Sequence, residues 1–263
     1  MKPLRTACLI LLLLLQVPSA GLAAQVPQPG KILHVWAKSG LYLRAQPAPG
    51  SKALQLLPFG AKVTLASETL PLVPHELVYL TPAHQEGWPD QPITLHGHWL
   101  KVKAGKQEGY AFSRLLLPYT PKKPSEPLEK YLVRSLGLTN RKQFTQSAPY
   151  PEADSPERAG MPKTYLQKIN VHQSPDKKVV LEEIDHTAGD ASVYGHEGKI
   201  TLMGMDFEEA VVFFHIIHPP YTQMGFLYIP FKRFEYSLDA VPNGAILEKK
   251  DNQIVYSWYY GLN

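Results

Sequence analysis

Cysteine is almost missing from this chain: of 263 residues only one is Cys, and Cys8 lies in a stretch that reads as a leader. Lys2 and Arg5 make a short positive start, Leu9 to Leu15 an apolar run, and Pro18 to Ala24 a set of small residues suited to cleavage near Ala23 or Ala24. That three-part pattern belongs to secretory signal peptides, and the run is too short to cross a bilayer. Cys8 precedes the apolar run instead of following it, which is not the placement of a lipid-anchored leader. The expectation is that residues 1–24 are removed and that the product is exported, to the periplasm or beyond. A mature chain without a thiol has neither a disulfide nor a thiolate nucleophile to draw on.

Other absences narrow the classes further. No second apolar run reaches membrane-spanning length, so no transmembrane segment is expected after the leader. Without Lys2 and Arg5, the 27 basic residues become 25 against 23 acidic ones. That balance supplies no basic stripe with interleaved aromatics, and nucleic acid is not an expected partner. There is no H-E-x-x-H pair, no G-x-S-x-G elbow and no phosphate-binding glycine loop. The glycines of Gly195-His196-Glu197-Gly198-Lys199 read as a turn. No motif calls for a cofactor, and no internal repeat is visible.

What the chain does have is short alternating segments broken by turn residues, with 25 prolines among them. After a Pro-containing spacer at 24–30, "ILHVWA", "LYLRA", "KALQLLPFG", "AKVTLAS", "HWLKVKA" and "GYAFSRLLL" alternate as strands do, up to about Pro118. Residues 67–97 interrupt them with a long insertion rich in Pro, His and aromatics. The Pro/Lys stretch 119–127 reads as a linker. Beyond it, Ser125 is placed to cap a helix that holds Leu128, Leu132 and Leu136 and stops near Gly137. From Lys177 the chain is strand-rich again. Val211–Ile217 is ambiguous: Asp206 and two prolines suit a helix, whereas the continuous β-branched and aromatic content favours a buried strand.

The most informative stretch is "SGLYLRAQPAPGSK", residues 39–52. Alternation puts Leu41 and Leu43 on one strand face and Tyr42 and Arg44 on the other. Pro47 and Pro49 hold the next segment extended, and Gly50 permits a reversal. Arg44 then stands beside a turn, where its guanidinium either pins the loop through backbone carbonyls or meets a ligand.

Gly40-Leu41-Tyr42-Leu43-Arg44-Ala45-Gln46-Pro47 resembles the G-L-N-L-R-x-x-P signature of bacterial Src-homology-3-type (SH3b) domains. Gly50, Leu54 to Leu57, Gly60 to Val63, Trp99 to Val102 and Gly109 to Phe112 resemble the pieces that follow it, in the family's order. Tyr42 stands where the family has Asn, and 67–97 interrupts a loop that is ordinarily short. The resemblance implies a small SH3-like β-barrel over residues 31–118, held in shape by Gly40, Arg44, Pro47, Gly50, Gly60 and Gly109. Joined by 119–127 to an α+β domain over 128–263 with a largely antiparallel sheet, it makes the chain mainly β. It further implies a non-catalytic envelope protein that binds peptidoglycan peptide or a protein partner, with Tyr42, Trp99 and Tyr110 lining the groove.

Residues 128–263 carry no recognised signature, so other roles stay open there. A wall hydrolase would draw on His186, His196 and Asp185, and a metal site on His215 and His218. Satisfied core or surface placement is the plainer reading of these histidines. Tyr256, Trp258 and Tyr260 share one strand face, as either a stacking platform or core. An inhibitor or scaffold role, with the sheet capping a partner, completes the set.

Overall fold

The structure is a computed structural model that describes residues 28–66, 73–81, 91–149, 164–187, 193–219, 226–237 and 243–261. The expected leader with its cleavage point and parts of the expected insertion lie outside the described residues.

The alternating segments of the first half pair as β1 (Ile32–Val35), β2 (Leu41–Arg44), β3 (Ala53–Leu57), β4 (Lys62–Leu65), β5 (Pro74–Leu80), β6 (Ile93–Ala104), β7 (Gln107–Phe112) and β8 (Leu116–Leu117). Their order is β3-β2-β7-β6-β4-β1-β8, with β5 added to β6. The end strands β3 and β8 do not pair, so this eight-stranded sheet stays open and closes no barrel. That corrects the expected SH3-like β-barrel and, with it, the SH3b assignment. The physical reason lies in β6. Its first half pairs with β5 from Pro74↔His98 to Leu80↔Ile93, and its second half pairs with β7 and β4. A strand that runs on into the expected insertion carries the sheet outward.

The second half contains α1 (Leu128–Ser135), β9 (Thr139–Pro149), β10 (Thr164–Gln173), β11 (Val179–Thr187) and β12 (Val193–Met203), followed by α2 (Phe207–Ile217), β13 (Phe226–Ile229), β14 (Arg233–Ser237), β15 (Gly244–Lys250) and β16 (Gln253–Tyr260). All eight strands form one antiparallel sheet in the order β13-β14-β15-β16-β12-β11-β10-β9. Each half of this sheet is a helix followed by a four-strand meander. The two last strands, β12 and β16, meet at the centre with Ile200 opposite Tyr256. A structural repeat is therefore present where none is visible in the sequence.

Pro127, not Ser125, occupies the α1 N-cap position, without a side-chain cap. The helix ends where Leu138 N–H donates to the Val133 carbonyl (2.8 Å) past Gly137 at φ 63°, a Schellman closure. Val211–Ile217 is helical, against the favoured strand reading. The Asp206 carboxylate caps α2 by accepting from the Glu208 and Glu209 amides (3.0 and 3.3 Å). The apolar run shows no period because α2 is covered from both sides. Phe213 stacks on Trp36 of the first half (centroids 5.2 Å), and Phe214 stacks on Tyr256 of β16 (4.0 Å). A helix that is hydrophobic all round is a buried one.

The expected turn at Gly195–Lys199 is the middle of β12. Gly198 faces Trp258 across the strand pair, and its missing side chain leaves room for the indole. Tyr256 and Trp258 are fully buried, which makes that face core. Burying side chains of this size stabilises the fold by about 1.5–3 kcal/mol each.

Candidate functional site

β2, β5, β6, β7 and the C-terminal turn of α2 enclose a groove of about 550 Å³. In β5, His75, Leu77 and Tyr79 line the groove, joined by Val78 where the register shifts before Leu80; in β2, Leu41, Tyr42 and Arg44 line it, while Leu43 is buried in the core. Trp99 of β6 and Phe112 of β7 are cross-strand partners and form part of the floor. The His75 ring stacks on Trp99 (centroids 5.3 Å, planes 29° apart) and meets Phe112 edge-on at 5.3 Å. His215 and Ile216 of α2 close one end.

The polar groups of the groove are sharply divided. Tyr79 Oη and His215 Nδ1 lie 2.9 Å apart. Burial, assisted by the charge of Lys38, lowers the His215 imidazole to about 4, and burial raises the Tyr79 hydroxyl far above its ordinary range. Tyr79 is therefore the donor and the neutral imidazole the acceptor. Arg44 Nη1 donates to the Ser51 carbonyl (2.7 Å), and the guanidinium sits 5.4 Å from the Tyr42 ring centre. Lys38 also lines the groove, whereas no Asp or Glu does so among the described residues.

The loop-forming residues stay near the groove. Gly40 and Gly60 lie at φ 87° and 78°, and Pro49 lines the wall. Pro47 and Gly50 belong to the loop pinned by Arg44, in which Ser51 Oγ donates to the Gln46 carbonyl (3.0 Å). A Cβ at Gly109 would lie 2.7 Å from the Arg44 carbonyl, so only glycine lets β7 approach β2 this closely. Tyr110 is the register partner of Arg44 but does not line the groove. Of the three expected groove residues, Tyr42 and Trp99 are brought together and Tyr110 is not. Sequence reading missed Trp36, His75, Tyr79, Phe112 and His215 as groove residues. The one available signal was the alternation in "PHELVYL", placed inside a stretch read as irregular.

Of the hydrolase candidates, His196 and Asp185 are brought together and His186 is not. His196 and Asp185 are register partners on one face, with Nδ1 2.9 Å from the carboxylate. His196 Nε2 is 3.5 Å from Glu129 of α1, an ion pair too long for a good hydrogen bond. The Glu129 carboxylate first, and Asp185 after it, raise the imidazole to about 9. It is thus protonated at neutral pH and is no general base there. His186 projects from the opposite face of β11, buried, with Nε2 3.2 Å from Glu197 and its ring 5.1 Å from that of Tyr165.

His215 and His218 likewise diverge. His218 turns to the other sheet, where Nδ1 is 2.7 Å from Tyr256 Oη and Nε2 meets the Tyr260 hydroxyl. Among the described residues no group of three or more His, Cys, Asp or Glu side chains is disposed to hold a metal. No helix among them is long and apolar enough to cross a membrane. Compared with known protein families, curated proteins and solved structures, the chain matches none.

Proposed function

We propose that this is an exported protein of the cell envelope that binds peptide without transforming it, and that the peptide is the stem of peptidoglycan. The observation that carries the reading is the groove itself, with Trp99, His75 and Phe112 packed into a preformed aromatic floor. Concave sites of a few hundred Å³ with aromatic walls and a few placed polar groups are suited to ligands of short-peptide size. The groove's two histidines support binding over chemistry: His215 is neutral and already bonded to Tyr79, and His75 is stacked on Trp99. The leader-like residues 1–24 supply the expectation of export.

The test uses the mature protein, residues 25–263, sedimented with insoluble peptidoglycan. Wild type is expected in the pellet, and the double variant Tyr42→Ala/His75→Ala, which leaves the buried Trp99 in place, in the supernatant with its fold intact by circular dichroism. Wild-type protein that stays in the supernatant, with no change in tryptophan fluorescence on adding soluble muropeptides, overturns the peptidoglycan reading. Capture of an envelope protein's peptide segment in the same groove would replace it with a protein partner.

A further inference from the structure

We infer that the groove selects ligands by a free carboxylate held by Arg44, with Lys38 as the second cationic contact; this rests on the peptide-binding reading above. Three observations point the same way. Both cations line a groove whose described walls contain no carboxylate, so the site is positive and internally uncompensated. Arg44 spends one nitrogen, Nη1, on the Ser51 carbonyl, and that bond together with the Tyr42 ring fixes the orientation of its planar fork. Among the described residues, the remaining guanidinium N–H groups have no other bond, and Lys38 has no ion-pair partner. A pinned guanidinium with spare parallel donors matches a carboxylate in a bidentate manner, and little side-chain freedom is lost on binding.

The cations lie toward different parts of the groove, and the wall strand β5 sets its length. Lys38 is near enough to His215 for its charge to oppose protonation there, which places it toward the α2 end. Arg44 is beside Tyr42 and is the register partner of Tyr110 in β7, the strand that also supplies Phe112. β5 runs along the groove from His75, against Trp99, to Tyr79, against His215. Extended chain rises about 3.3 Å per residue, so the run from His75 to Tyr79 matches roughly 13 Å of ligand. The occupant is therefore a short, extended, anionic peptide with apolar or alkyl side chains against the aromatic floor. A neutral or cationic peptide of equal size lacks the complement.

The probe is a soluble disaccharide-tetrapeptide from peptidoglycan, compared with the same compound after amidation of its carboxylates. Binding is read from the fluorescence of the mature protein and from calorimetry. The acid form is expected to bind at least about tenfold tighter than the amidated form, as loss of a charge-assisted bond predicts. R44Q is expected to weaken the acid form by a similar factor and to leave the amidated form unchanged. Because Arg44 also holds its loop, K38Q serves as a second variant; it is expected to weaken only the acid form while the melting temperature stays the same. Equal binding of the two forms overturns the carboxylate inference and leaves the peptide-binding reading standing. So does equal loss of both forms in R44Q together with no effect of K38Q. Binding of neither form overturns both.

Discussion

The indole of Trp258 lies in the space that a side chain at Gly198 would need, directly across the β12–β16 pair. The centre of the second sheet is thus built on a large residue and an absent one. Gly198→Ala is expected to destabilise the protein by about 2–4 kcal/mol through overpacking against a fully buried ring. Urea denaturation checks this. In a Trp258→Phe background the same alanine is expected to cost less than half as much, because the smaller ring vacates part of the space.

Tyr42 is the groove residue best suited to separating binding from folding. It is 48% exposed and projects away from the core side of β2. Tyr42→Ala is expected to weaken peptidoglycan binding several-fold and to change stability by less than about 0.5 kcal/mol. Sedimentation and a thermal melt on the same sample decide it. An unaltered affinity would remove the Tyr42 ring from the binding surface.

The Glu129–His196–Asp185 cluster ties α1 to the second sheet, and it gives stability an alkaline limb. The His196 imidazole, about 9 in the fold against 6.5 in an unfolded chain, binds its proton more tightly when folded. Its contribution is fully present below about pH 6.5 and is lost as pH rises through about 9. With solvent screening of a partly exposed pair discounted, this amounts to roughly 2 kcal/mol. Denaturation of wild type and His196→Gln should show a gap at pH 6 that closes by pH 10. A gap independent of pH would mean that His196 acts through packing alone.

His215 and His218 give the opposite limb. Burial lowers both to about 4, so between 6.5 and that value the unfolded chain binds protons that the folded chain refuses. Stability must fall as pH drops through this window. His215→Asn is expected to flatten the slope between pH 6.5 and 4.5, measured by denaturation at intervals across it. An unchanged slope would show that His215 is already open to water.

Much of the fold is legible in the residues, and the failures have particular causes. The alternation of "LYLRA" and "AKVTLAS" names β2 and β4, and the β-branched and aromatic content of "QIVYSWYY" names β16. β9 is missed because "TNRKQFTQSAP" lies at a sheet edge, where polar side chains replace an apolar face and Gln143 and Gln146 bond across to Asn170 and Gln167 of β10. α2 is missed because a helix clasped by two sheets loses the polar stripe that distinguishes it from a strand. The open first sheet is missed for a related reason. Nothing in "ITLHGHWLKVKA" marks where pairing passes from β5 to β4, since that change is made by partners distant in the chain. At the site, Tyr42, Arg44 and Trp99 are legible from their strands. His75 and Tyr79 are hidden by prolines that flank their strand.

Helix α2 belongs to the second half by chain order, yet it seals Trp36 of the first half and ends in the wall of the groove. A protein cut within 119–127 would therefore yield a first piece with an open seam along Trp36 and a groove lacking its His215 end. A ligand seated in that groove presses on a helix whose other side is the floor of the second sheet. Strain at either surface has the same eleven-residue lever to act on.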